Sequence, residues 1–120
     1  MIYHLALAAD WAAAVADGEY RVSTLGVRLD DAGFVHASFA HQVAPTARRF
    51  YAGVAEPLVL LHVDEARLPA PWRVDHLPAD AGGTPGEGFP HVYGPIAVDA
   101  VVAVTPVGRT ADGGWTGLPA

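Results

Sequence analysis

The sequence has no cysteine and no lysine. Without thiols, disulfides and thiolate metal centres are excluded, and a cytoplasmic location is the default expectation. No apolar run approaches the ~20 residues that a bilayer-spanning helix needs, so no membrane partner is expected. The N-terminus enters a strand pattern directly, with neither the basic nor the apolar region of a signal peptide. Without lysine, all side-chain positive charge rests on seven scattered arginines, set against 13 acidic residues for a formal net charge of −6. That balance repels a phosphate backbone and argues against nucleic acid as a bulk partner. A small anionic ligand held by one or two arginines is compatible with it, because such binding is local.

Several motifs are absent too. There is no GxGxxG and no GxxxxGK[ST], the usual nucleotide-fold signatures. No Gly-x-Ser-x-Gly elbow supports a serine hydrolase. No HxxxH or HExxH spacing exists, and His36 and His41 are five positions apart, which no standard zinc site uses. No metal is therefore expected.

What is present suits a single domain over residues 1–120. The hydrophobic fraction is 52% and charged residues make up 17%, enough to form a core without covalent staples. Met1–Ala6 reads as a strand. Ala9–Ala16 reads as a helix with Trp11, Ala12 and Val15 at helical spacing, stopped by Gly18. Gly33–Ala37 reads as a second strand ending at Ser38. That serine is placed to cap a helix running to about Tyr51, with Val43, Ala47 and Phe50 on one face. Pro45 requires this helix to begin later than Ser38 or to kink. Pro57–Asp64 is a continuous apolar run, as in a central strand buried on both faces. Trp72–His76, His91–Tyr93 and Ile96–Pro106 read as further strands, the last bent near Asp99. Pro78–Gly88 reads as a loop, and Asp112-Gly113-Gly114 as the turn of a terminal hairpin. Two helices and about six strands without βαβ alternation give an α+β domain.

Three segments carry an imidazole inside or beside an apolar strand pattern: Ile2-Tyr3-His4, Gly33-Phe34-Val35-His36-Ala37-Ser38 and Phe89-Pro90-His91-Val92-Tyr93-Gly94. A buried imidazole needs partners or costs roughly 1–3 kcal/mol, so three such segments point to one shared polar pocket. On a strand, His36 and Ser38 share a face, as do His91 and Tyr93. Pro90 and Pro95 stiffen the last segment. The competing reading is three separately satisfied core histidines, with Ser38 only capping a helix. His41, His62 and His76 rank lower, and Trp11, Phe34, Phe50 and Trp72 are most simply core. Asp75, late in its strand near the pocket loop, is the one carboxylate singled out, with a solvated strand end as its competing description.

These motifs, together with Gln42-Val43, Leu58–Asp64 and Val101–Val104, resemble the DUF952 family over nearly the whole chain. Where that family tends to carry a glutamate after its Trp/Arg segment, this sequence has the shorter Asp75. The resemblance implies a minimal ADP-ribosyltransferase-like fold, a small split antiparallel sheet with two main helices around an NAD cleft. Tyr3-His4 resembles the first-strand motif of the histidine-type transferases, whose histidine holds the NAD ribose. Val35-His36-Ala37-Ser38 resembles the His-x-Ser stretch of RNA 2′-phosphotransferases. Tyr93-Gly94-Pro95-Ile96 through Val101 resembles the last motif strand, though without the glutamate that many transferases place there.

The resemblance implies NAD as substrate, with His36, His91 and Asp75 as catalytic groups. Tyr3, His4, Ser38 and Tyr93 would hold the small-molecule ligand. The activity expected is ADP-ribosyl or phospho transfer, or NAD glycohydrolysis. The alternatives are a non-catalytic nucleotide-like binding domain and an interaction module whose histidines are merely packed.

Overall fold

Leu58, Leu60, Leu61 and Val63 are all buried because their strand lies between two others and both of its faces are covered. The computed structural model describes residues 1–76 and 86–119. In chain order its elements are β1 (Ile2–Leu7), α1 (Ala8–Asp17), β2 (Glu19–Tyr20), β3 (Val22–Thr24), β4 (Val27–Arg28), the four-residue α2 (Leu29–Ala32), β5 (Val35–His36) and α3 (Ala40–Phe50). There follow β6 (Leu58–Val63), β7 (Trp72–His76), β8 (Gly88–Val92), β9 (Ile96–Ala97), β10 (Val101–Arg109) and β11 (Trp115–Thr116). The result is a small mixed domain with few helices and several antiparallel sheets.

The main sheet has the order β1-β6-β10-β11. β6 pairs with β1 from Ile2↔Val63 to Leu7↔Leu58, and with β10 on its other edge through an irregularity between Val101 and Ala103. Alternation along β6 sends Leu61 and Val63 into one apolar cluster with Ile2, Ala6 and Ala14. Leu58 and Leu60 enter a second cluster, with Leu5 and the α3 residues Val43 and Ala47. Each fully buried Leu or Val contributes about 1.5–3 kcal/mol, so this sheet is the rigid base on which the rest is mounted.

A second sheet, β5-β8-β7, stands on the end of β1. The joint is a reciprocal pair of backbone bonds between Tyr3 and Ser38, both 2.8 Å. This joint explains why Ser38 does not cap α3. Its backbone is committed to an extended bridge, and the helix begins at Ala40 behind Phe39, whose N–H is taken by Gln42 Oε1 at 3.0 Å. Pro45 lies inside α3 all the same.

Other expectations are corrected by short elements and partial packing. Among the described residues there are eleven strands rather than about six, and four of those before β6 span only two or three residues, too few for a period-2 signal. Gly88, read as loop, opens β8; most of that loop lies outside the described residues. Val15 and Phe50 are 54% and 53% exposed, because α1 and α3 each bury a narrower stripe than their apolar spacing suggests. Gly18 does stop α1, in the left-handed conformation at φ 90°, with its N–H on the Ala14 carbonyl. Among the described residues no helix is long and apolar enough to cross a membrane.

Candidate functional site

Register places the polar row of the second sheet. His36 on β5 pairs with His91 on β8, and His91 pairs with Arg73 on β7. Residues two apart on a strand share a face. His36, His91, Tyr93, Arg73 and Asp75 therefore project to one side, with Phe34 and Phe89. The opposite side of the same strands carries Val35, Pro90 and Val92, all fully buried.

Along that polar side runs a chain of hydrogen bonds. His36 Nδ1 lies 3.0 Å from His91 Nε2, and His91 Nδ1 donates to Asp75 Oδ2 at 2.8 Å. The Tyr93 hydroxyl donates to the same carboxylate oxygen, and Arg73 Nε donates to Oδ1 at 3.0 Å. The Tyr93 hydroxyl, with His91 and Arg73 behind it, holds the Asp75 carboxyl below the usual carboxylate range. Phe34 lies flat on the His91 ring, centroids 4.0 Å apart, and the Arg73 guanidinium sits 4.4 Å over the Tyr93 ring. Each ring in the row is thus held from two directions.

His36 and His91 open onto a cavity of about 430 Å³. Phe34, Phe50, Phe89 and Leu25 give it apolar walls, and Ser23, Thr24 and Thr46 contribute hydroxyls. Arg49, from the last turn of α3, is the one charged side chain among the described lining residues. The His36 backbone is fixed by its N–H to Ser23 Oγ at 3.2 Å. Burial, with the neighbouring His91 and His4, pushes the His36 ring down to about 3, so it is neutral at neutral pH.

The remaining sequence-derived candidates lie elsewhere. His4 is 3% exposed and does not reach the cavity. Its Nδ1 donates to the His36 carbonyl at 2.6 Å, and its Nε2 accepts from the Tyr20 hydroxyl at 3.1 Å. Burial pushes the ring down to about 4, so it is a neutral strut with both nitrogens taken. Tyr3 faces the other side of β1 and meets His62 edge-on at 5.1 Å. Ser38 is buried beside it in the backbone bridge and does not line the cavity. The structure therefore brings together His36, His91, Asp75 and Tyr93, holds His4 one layer behind, and separates Tyr3 and Ser38. Of the lower-ranked histidines, His62 bonds Thr105 Oγ1 at 2.8 Å, while His41 and His76 are exposed.

Sequence reasoning passed over Tyr20, Ser23, Gln42, Arg49 and Arg73 as site residues. The first two sit in strands too short to read. Arg73 and Asp75 could have been paired, since i,i+2 spacing on a strand puts both on one face. Gln42 is 2% exposed, accepts from Phe39 N–H and donates to the Gly88 carbonyl at 2.6 Å, tying α3 to the start of β8. Among the described residues no group of three His, Cys, Asp or Glu is arranged to hold a metal ion.

The same architecture occurs in protein CC0527 from Caulobacter crescentus. Its crystal structure is 30% identical, covers 99% of this chain and 92% of its own, and superposes with a TM-score of 0.75. Its solution NMR structure gives 33% identity, 98% and 90% coverage, and a TM-score of 0.64. No curated protein matches the chain. A family model described as a protein of unknown function, DUF952, matches residues 5–104. The chain belongs to the DUF952 family.

Proposed function

We propose that this protein is an enzyme of the ADP-ribosyltransferase-like class that takes NAD or an ADP-ribose-like ligand into the cavity beside His36. One observation carries the reading: a neutral histidine, backed by a second histidine and a carboxylate, lines an apolar cavity that also holds an arginine. Cavities of about 300–1,000 Å³ take small ligands, and this one, near the lower end, suits one ring-bearing half of a dinucleotide. A flat heteroaromatic ring fits between the phenylalanine walls. A phosphate would meet Arg49, and ribose hydroxyls would meet Ser23, Thr24 and Thr46. The resemblance assigns the ribose to His4; in this chain both His4 nitrogens are already engaged, so the cavity hydroxyls take that part.

Glycohydrolysis or ADP-ribosyl transfer breaks the bond between ribose C1′ and nicotinamide. Its electron pair leaves with the nicotinamide and neutralises the pyridinium charge. A water or acceptor hydroxyl forms the new bond to C1′ and gives up a proton, for which His36 is the neutral acceptor at the cavity.

A second reading, a binding domain without turnover, is favoured by one observation. No acidic side chain stands among the described lining residues to stabilise an oxocarbenium-like transition state. Incubation with NAD and chromatography for released nicotinamide separates the two. Nicotinamide release by the wild type, absent in H36A, supports the enzyme. A melting shift with ADP-ribose but no release supports the binding domain.

A further inference from the structure

We infer that His36 Nε2 is the base of this cavity, and that Asp75 acts as a positioning residue which fixes that role from two imidazoles away. Asp75 receives Tyr93 and His91 on Oδ2 and Arg73 on Oδ1. A carboxylate surrounded by donors is ionised and can only accept. A singly protonated His91 then carries its proton on Nδ1, which leaves a lone pair on its Nε2. Facing that lone pair, 3.0 Å away, is His36 Nδ1, which must therefore be the protonated nitrogen of its ring. The His36 lone pair is left on Nε2.

Nε2 has no protein partner among the described residues. No buried side-chain nitrogen or oxygen there lacks a hydrogen bond, so Nε2 is accessible, and His36 lines the cavity. The row of bonds Asp75···His91···His36 thus points one lone pair at whatever the cavity holds. The Phe34 ring against His91 and the His36 N–H bond to Ser23 hold this geometry.

The proton balance closes at His36. A ligand O–H or N–H gives its proton to His36 Nε2, so one bond to hydrogen breaks on the ligand and one forms on the ring. The His36 ring keeps its Nδ1 proton in the bond to His91 Nε2, and His91 keeps its own in the bond to the ionised Asp75 carboxylate, which supports the positive charge without taking the proton. The proton leaves again from Nε2, to solvent or to a group in the cavity. The ligand class follows: it must present a hydroxyl, water or N–H donor to Nε2, and a ligand offering only acceptors is disfavoured there.

The inference concerns the free protein and does not rest on NAD as the ligand. Long-range nitrogen–proton correlation NMR of the imidazole rings in the isotope-labelled full chain reads it directly, with signals assigned by their loss in H36A and H91F. At neutral pH, His36 and His91 are both expected as Nδ1–H tautomers. In D75A the carboxylate is gone, His91 returns to the Nε2–H form that an unpaired imidazole favours, and His36 is expected to follow with a protonated Nε2. D75E should restore the wild-type pattern. H91F interrupts the row without touching Asp75 and should change His36 as D75A does. A wild-type His36 protonated on Nε2, or a His36 tautomer indifferent to both D75A and H91F, overturns the inference. Should D75A fail to fold, the wild-type spectrum and H91F still decide it.

Discussion

His4 donates through Nδ1 to the backbone carbonyl of His36 at 2.6 Å, so the histidine that faces the cavity is held in place by a second histidine buried behind it. The two rings differ in exposure and share one electrostatic property. Both are kept neutral, at about 4 for His4 and about 3 for His36, against an ordinary value of 6.5. Desolvation is the largest cause in each.

Stability should therefore fall with acid well above the carboxylate range. Below pH 6.5 the unfolded chain binds protons at these rings and the folded chain does not, so acid favours unfolding. The contribution is fully present above 6.5 and is lost progressively down to about 4 for His4 and about 3 for His36. Each ring costs about 1.4 kcal/mol per pH unit within its window. Urea midpoints measured across that window should drop steadily. A flat profile between pH 6.5 and pH 4 would show that the rings are not sealed.

Tyr20→Phe removes the donor to His4 Nε2 while keeping the ring that fills the core. An unpaired buried nitrogen costs about 1–3 kcal/mol. Because Tyr20 does not line the cavity, any ligand-induced melting shift should survive. Denaturation and ligand titration of one sample check both halves, and loss of the ligand shift without loss of stability would reverse the assignment.

Gln42→Leu should be costly for a similar reason. It leaves the Phe39 N–H and the Gly88 carbonyl without the partner each now has, at about 1–3 kcal/mol apiece. Backbone hydrogen exchange at Phe39 and the start of β8 should accelerate first. Uniform acceleration across the domain would indicate that Gln42 is ordinary packing.

His36→Ala and Tyr93→Phe address the site itself. Both side chains are half-buried rather than packing centres, so melting midpoints should change little. Loss of a general base costs about 10²–10⁴-fold in rate, and H36A should show it. Y93F removes one of the donors on Asp75 and should reduce turnover less. A large fall in midpoint for H36A, with no ligand effect to lose, favours the reading in which the histidines are packed.

The sequence discloses what depends on long, regular patterns. β6 was legible because burial on both faces leaves an uninterrupted apolar run, and β7 because Trp72–His76 alternates. His36 and His91 stood out because a polar ring within an apolar pattern demands a partner. What the sequence hid was which partner. Tyr20 sits in a two-residue strand with no period of its own, and its bond to His4 depends on tertiary folding. Ser38 has the chemistry of a helix cap, yet backbone pairing with Tyr3 overrides it. Strand alternation already set Tyr3 and His4 on opposite faces, so grouping both as ligand contacts conflicted with the geometry of β1.

Thermal melting with NAD, ADP-ribose and nicotinamide reads out whether the cavity beside His36 receives a nucleotide-like ligand. A ligand at about 100 times its Kd adds about 2.7 kcal/mol, a shift of several degrees for a domain this small. NAD or ADP-ribose should raise the wild-type midpoint, and H36A should diminish the rise. Midpoints unmoved by all three compounds at saturating concentration would contradict binding at this cavity.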